Sequence, residues 1–491
     1  MITFIAAIAL LVLGYFTYGK FVERVFKFDD KRKTPAYAMQ DGIDYVPMNT
    51  KRNSLIQLLN IAGVGPIFGP ILGALYGPVA FLWIVVGCIF AGAVHDYLTG
   101  MISIRNHGAH LPQLAGKFLG KTMKHVVNFF AILLLLLVGT VFVTSPAALL
   151  ASITPFNMLL IVAAIFAYYL VATLLPIDKV IGRIYPYFGA LLLFSAAGIG
   201  IGLVVTGAPI PELSLTNMHP QNAPIFPLLF LTISCGALSG FHATQTPIIS
   251  RTTQNEQNGR KIFYGMMITE GVIAMIWAAA AMSLFHGDTS LSAVLANGGP
   301  AAVVSAVSTQ MLGAIGGTLA VLGVIVLPIT SGDTAFRSAR MIIADYLKID
   351  QRPIAKRLMI AAPLFVLSFA LTKMDFTLLW RYFSWANQTT AVIALWVGTM
   401  YLVLARKPHW ITSIPAVFMT MATFTYIAYA PIGLGLSMQI SYVVAALATL
   451  LCIALFMKRV RRLSGGIFAV DEPVVPVGYT PRNTASAEAI S

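Results

Sequence analysis

The sequence predicts an all-helical, polytopic membrane protein of about 13 transmembrane helices built around two inverted sets of five. Three observations predict it. The 491 residues are 58% hydrophobic and 10% charged, with a mean hydropathy of +0.82, more apolar surface than a soluble core can bury. Apolar runs of membrane-crossing length recur along the whole chain. Two of those runs, at the heads of two blocks of similar length, are broken by Gly, Pro and polar residues.

A bilayer core about 30 Å thick needs about 20 apolar residues per helix. Runs of that kind lie at 2–23, 55–76, 78–103, 124–146, 156–176, 184–208 and 225–248, then at 262–286, 314–336, 355–372, 377–404, 410–428 and 437–458. The first carries its basic residues after the apolar stretch, whereas a cleaved leader carries them before it, so it is expected to stay as an anchor.

The formal net charge of +14 would point to nucleic acid in a soluble protein. Its distribution points elsewhere. With the N-terminus outside and the C-terminus cytoplasmic, every one of the 32 Lys and Arg residues except Lys373 and Arg381 falls on the inner side. That is the asymmetry the positive-inside rule expects of a plasma-membrane or bacterial inner-membrane protein, and it removes the need for a nucleic-acid partner. Basic clusters at Lys31, Arg32, Lys33 and at Arg459, Arg461, Arg462 suit anionic lipid head groups. The segments then read as an extra span with a basic loop (1–54), a first five-helix repeat (55–208), a second repeat with its outer loops (209–404), two further spans (405–463) and a disordered tail (464–491).

The first run of block one is NIAGVGPIFGPILGALYGP, where Gly63, Val64 and Gly65 precede Pro66 and Pro70. Proline removes a backbone donor in mid-membrane, and glycine lets the chain turn. The first run of block two is SCGALSGFHATQTPIISRT, in which Ser239, Gly240, His242 and Gln245 crowd into a nominally apolar span. Paired interruptions of this kind expose backbone groups that coordinate solutes and ions, so these seven residues are the expected substrate contacts. A small-residue packing stripe explains Gly73 and Gly77 as well, but not the two prolines and the polar cluster.

The stretches DGIDYVP (41–47), AGVGPIFGPILGA (62–74), FAGAVHD (90–96), SGFHATQTP (239–247) and TSGDTAFRSAR (330–340) resemble the carbon-starvation protein A (CstA) family of peptide and pyruvate transporters. The resemblance covers most of the chain. It implies a LeuT-like core, uptake of small nutrients and ion-driven symport. The chain departs from the family where many relatives have Gln in place of His95, and longer members carry additional C-terminal sequence, so the substrate transfers less well than the fold.

Ionisable groups inside spans are functional candidates because burying them unpaired costs several kcal/mol. His95, Asp96, His242, Glu270, Asp333 and Arg337 are the set here. Asp96 and Glu270, each about 10 Å from the inner end of its span, are expected in a cavity facing the cytoplasm, where a carboxylate can carry a proton. Asp333 and Arg337 are spaced i, i+4, which permits an ion pair. By the resemblance, Thr330, Ser331 and Asp333 lie beside the first broken span, and oxygen ligands of that type suit sodium. The transported ion is therefore H+ or Na+, with the histidines favouring the proton; no cofactor and no metal are expected. Trp380, Tyr382, Trp385, Asn387 and Gln388 are expected near the outer surface, at an extracellular gate or in an interfacial aromatic belt that explains the tryptophans but not Asn387 and Gln388, and Cys88, Cys235 and Cys452 are expected as packing residues.

No phosphate-binding Gly-Lys-Ser/Thr loop and no HExxH motif occurs, so ATP-driven pumping and an intramembrane metalloprotease are both unsupported and no enzyme is expected. Channel and nutrient-sensor readings share the broken helices and differ in whether flux is saturable and gradient-coupled. The partners expected are a small-molecule substrate, the lipid bilayer and, in a possible homo-oligomer, further copies of the chain.

Overall fold

The computed structural model describes residues 1–42, 44–174, 177–285, 290–351, 353–465 and 468–474. Their regular structure is helical throughout, apart from one bridge between Met48 and Thr253. Residues 475–491, with Arg482 and most of the expected disordered tail, lie outside the described residues.

The chain opens with α1 (Ile2–Phe16) and α2 (Tyr18–Phe26), one run apolar enough to cross a membrane. Phe4, Ala7, Leu11 and Gly14 face inward while Ile2, Ile5, Leu13 and Phe16 are exposed, the pattern of a helix with lipid on one side. The α-amino group lies 2.7 Å from Glu212. A short α3 (Pro35–Ala38) sits in the basic loop before α4 (Thr50–Ile61), whose start is capped by Asn49.

Helix α4 does not continue into α5 (Gly65–Gly73). The two are bent by 47° across residues 62–64. A side chain at Gly63 would collide with the Phe142 ring, and Pro66 has no N–H for the helical ladder. Next come α6 (Val79–Gly87) and α7 (Ala93–Arg105), joined through a π turn into one span, then the short α8 (Leu111–Phe118). Three helices complete the first half: α9 (Lys121–Ile153), α10 (Met158–Leu174) and α11 (Ile177–Val205).

The second interruption separates α12 (Ile225–Thr232) from α13 (Gly240–Ser250). Between them Gly236 takes φ +88°, a left-handed conformation natural to glycine. Helix α14 (Gly265–Ser283) follows, and α15 (Leu291–Leu347) is redirected at Gly299 and Gly313, both with positive φ. The remaining helices are α16 (Ile354–Leu371), α17 (Phe376–Leu404), α18 (Trp410–Tyr429) and α19 (Met438–Ser464).

Ten helical stretches among the described residues are long and apolar enough to cross a membrane, or eleven with the bent α4–α5 pair. The expected thirteen is not reached by that measure. Its run at 156–176 contains only a short apolar helix, Met158–Thr173, and its run at 225–248 is split into α12 and α13.

One end of the bundle is tied by a polar knot around Arg105, at the end of α7. Its guanidinium donates to Glu256 at 3.0 and 3.1 Å and to the Tyr401 hydroxyl at 2.7 Å, and stacks over Phe26 at 4.3 Å. The segment after α19 is strapped across this knot. Asp471 accepts from Arg105 at 3.3 Å and from Arg32 at 3.2 Å, while Lys117 donates to the carbonyls of Val470 and Glu472 at 2.7 and 2.6 Å.

Candidate substrate and ion site at the helix breaks

The second break exists because α17 supplies what the unwound backbone lacks. Peptide groups released inside an apolar medium need partners. Asn387 Oδ1 accepts from the Phe241 N–H at 2.7 Å and from Ser239 Oγ at 3.2 Å, capping the start of α13. Gln388 Nε2 donates to the Leu238 carbonyl at 2.8 Å. Gly240 packs so closely on the backbone of Asn387 and Ala391 that a Cβ there would clash with both. Asn387 and Gln388, expected at an extracellular gate, are both fully buried and hold the break.

Against this break lies a chain of titratable groups. Asp96, on α7, accepts from His95 Nδ1 at 2.8 Å through one oxygen and from His242 Nδ1 at 2.9 Å through the other. The second nitrogen of His242 is 3.3 Å from Glu270 of α14, without hydrogen-bond alignment. Asp96, His242 and Glu270 have no solvent exposure and His95 has 2%. They do not line an open cavity, because His242 fills the space between the carboxylates. Cys235 joins this cluster: its Sγ, a ring nitrogen of His242 and a Glu270 oxygen lie within 4.8 Å of one another.

The two breaks touch. A Cβ at Gly65 would run into the Cys235 side chain, and Gly236 has the Pro66 ring 4.0 Å from where its own Cβ would stand. Gly63, Val64 and Gly65 are all buried in this contact. From the other side α15 reaches in: Ser331 Oγ donates to the Leu59 carbonyl of α4 at 2.8 Å, and Ser338 Oγ donates to Gln245 at 3.3 Å. Thr330 Oγ1 donates to the Leu327 carbonyl within its own helix. Asp333 is 3.6 Å from Arg337, which also donates to the Ala172 carbonyl. A groove of about 340 Å³, lined by apolar residues such as Trp83, Phe230 and Phe418 of α6, α12 and α18, borders the second break, where Trp83 donates to the Ile233 carbonyl at 3.0 Å.

Two residues went unnoticed in the sequence. Gln57 and Asn60, one turn apart on α4 and leading into the first break, are buried with no hydrogen-bond partner on any amide atom. The signal was present, since NSLIQLLNI repeats polar residues every three or four positions along one helix face.

Comparison with known proteins agrees with this architecture. The family described as carbon starvation protein CstA matches residues 1–160, 143–308 and 285–426. The chain belongs to the CstA family. A Haemophilus influenzae membrane protein is 50% identical over 352 residues, covering 61% of this chain and 95% of that one. The peptide transporter CstA of Campylobacter jejuni is 26% identical, with 85% and 78% of the two chains covered. The Escherichia coli pyruvate/proton symporter BtsT is 28% identical over 58% of this chain and 49% of its own length. Among solved structures, an Eremococcus coleocola manganese transporter matches with a TM-score of 0.57 at 14% identity, covering 84% of this chain and 94% of that one. At that identity the likeness is one of fold. The protein is a multi-pass membrane transporter of the CstA family.

Proposed function

We propose that this CstA-family member imports small nutrients, short peptides or pyruvate-like carboxylates, by proton-coupled alternating access. The observation that carries the reading is the contact between the two breaks, one at the head of each five-helix block. In this reading residues 55–208 and 209–404 are inverted repeats, the N-terminus is outside and the C-terminus cytoplasmic, and the solute enters between α5 and α13 when the halves part. Gly63, Val64, Gly65, Ser239, Gly240, His242 and Gln245 then form its surroundings, joined by the unpaired amides of Gln57 and Asn60.

The proton is favoured as the driving ion because a relative, BtsT, is named a pyruvate/proton symporter. Buried carboxylates at Asp96, Glu270 and Asp333, with His95 beside the first, are the groups we assign to coupling. Sodium is the second reading, supported by the Ser331 hydroxyl meeting a carbonyl of the first broken span at 2.8 Å.

Uptake of radiolabelled pyruvate and dipeptides into proteoliposomes tests this. An inward proton gradient is expected to drive accumulation that a protonophore abolishes, and counterflow is expected without any gradient. Uptake that follows sodium instead would replace the proton, and flux indifferent to both gradients would overturn symport. Gln245→Ala is expected to raise the apparent Km with the protein still inserted; an unchanged Km would remove Gln245 from the site.

A further inference from the structure

The cluster beside the second break has a chemistry that transport of a carboxylate or peptide does not use. Cys235, His242 and Glu270 come from the unwound segment, from α13 and from α14, and their sulfur, nitrogen and oxygen atoms lie within 4.8 Å of one another. All three residues are buried, at 2%, 0% and 0% exposure. Neither Glu270 oxygen nor His242 Nε2 has a hydrogen-bond partner. Three potential ligands thus lie close enough together to share one ion.

The second shell is equally specific. His242 Nδ1 stands 2.9 Å from Asp96, and Nε2 is turned towards the Glu270 carboxylate 3.3 Å away, where it can serve as a ligand once deprotonated. Facing each other at that distance in a buried site, the two atoms are held together by a proton on the imidazole or by a metal ion in its place. An imidazole whose other nitrogen donates to a carboxylate is the usual arrangement of a metal-bound histidine, and here the carboxylate is itself steadied by His95 at 2.8 Å. The Cys235 thiol, which donates to Ser239 Oγ at 3.4 Å, becomes a third ligand once it is deprotonated. A divalent ion with one thiolate, one carboxylate and a neutral imidazole is charge-balanced, which matters where the dielectric is low. Bond lengths of about 2.0–2.3 Å to sulfur, nitrogen and oxygen set tetrahedral ligands roughly 3.3–3.6 Å apart, the spacing at which His242 and Glu270 already stand, at 3.3 Å. The mixed donor set favours a borderline-soft ion of the zinc class over magnesium or calcium.

We propose that Cys235, His242 and Glu270 form a binding site for a divalent transition-metal ion of the zinc class, with Asp96 as the positioning residue behind His242. An ion held there ties the second break to α14 and withdraws Glu270 and His242 from any other traffic, so it inhibits uptake. The ion enters when the breaks part, since the closed cluster has no solvent exposure.

Cobalt(II), titrated into the chelator-washed, detergent-purified full chain, reports the site through thiolate-to-metal charge transfer. Wild-type protein and Cys452→Ser are expected to show the band, with zinc displacing cobalt. Cys235→Ser is expected to lose the band, and Asp96→Asn to keep it with affinity about 10–100-fold weaker. Absence of the band in wild type, or its survival in Cys235→Ser, overturns the site. Should Cys235→Ser fail to fold, X-ray absorption on the zinc-loaded wild type decides: one sulfur in the shell supports the proposal, and a shell of oxygen and nitrogen alone rejects it. These readouts do not involve uptake, so the metal site and the proposed transport stand or fall separately.

Discussion

Asn387 spends its one carbonyl oxygen on two donors of the second break, the Phe241 N–H and the Ser239 hydroxyl. Replacing it with Ala strands both in a buried setting, at a cost of about 1–3 kcal/mol. A lowered thermal midpoint of the detergent-purified protein is expected for Asn387→Ala, and an unchanged midpoint would show that the break is capped by something else. Gly240→Ala is expected to be harsher, because a methyl there meets the backbone of α17 rather than a side chain that can turn aside. By contrast Gly116→Ala, which would meet only the flexible Lys124 side chain at 3.2 Å, is expected to be tolerated. At this scale the sequence was half legible. Asn387 stood out as polar within an apolar span, but its partners are about 146 residues away along the chain, and only the packed fold brings them together. Cys235 carried no signal at all: its meaning depends on Glu270, on another helix.

Among the elements, the interrupted helices were the most legible, because proline and glycine act locally: Pro66 removes its hydrogen bond whatever surrounds it. The boundaries of α10 were less so, since an apolar run records burial in lipid and not where the helix ends. The strap after α19 was read as tail because its few polar residues have no periodicity, yet Asp471 reaches Arg105, Arg32 and Tyr401. Burial pushes the Asp471 carboxyl up, but Arg105, the Tyr401 hydroxyl and Arg32 outweigh it and hold the group below the usual carboxylate range. A carboxylate depressed in the folded state stabilises above its unfolded pKa of about 3.9. The strap is therefore expected to stay seated at neutral pH and to loosen as pH falls below that value. Asp471→Asn is expected to loosen it at neutral pH by about 1 kcal/mol, seen as faster hydrogen exchange at residues 468–474. Exchange identical to wild type at both pH values would show that the Lys117 contacts alone retain it.

Over the whole molecule, the two interrupted helices meet at their defects, and many buried polar side chains gather there. Gln57 and Asn60 approach from α4, Ser331 and Ser338 from α15, Asn387 and Gln388 from α17, and Asp96 with His95 from α7. An apolar bundle that gathers polar side chains at such a contact, with the Gln57 and Asn60 amides unpaired, is suited to receive a polar solute there. The membrane class and the positions of both defects could be read from hydropathy and composition. Their mutual contact, and the closure of the site around His242, could not, because both depend on how the halves dock.

Cys235 lies at that contact and makes a natural reporter. In chelator-washed vesicles carrying Cys88→Ser and Cys452→Ser, which leave it as the single thiol, its labelling by a small thiol reagent measures whether the breaks part. The account predicts that Cys235 reacts while the transporter cycles and is shielded by a saturating concentration of a transported solute. Labelling at the same rate with and without such a solute would contradict the claim that the solute binds between the breaks.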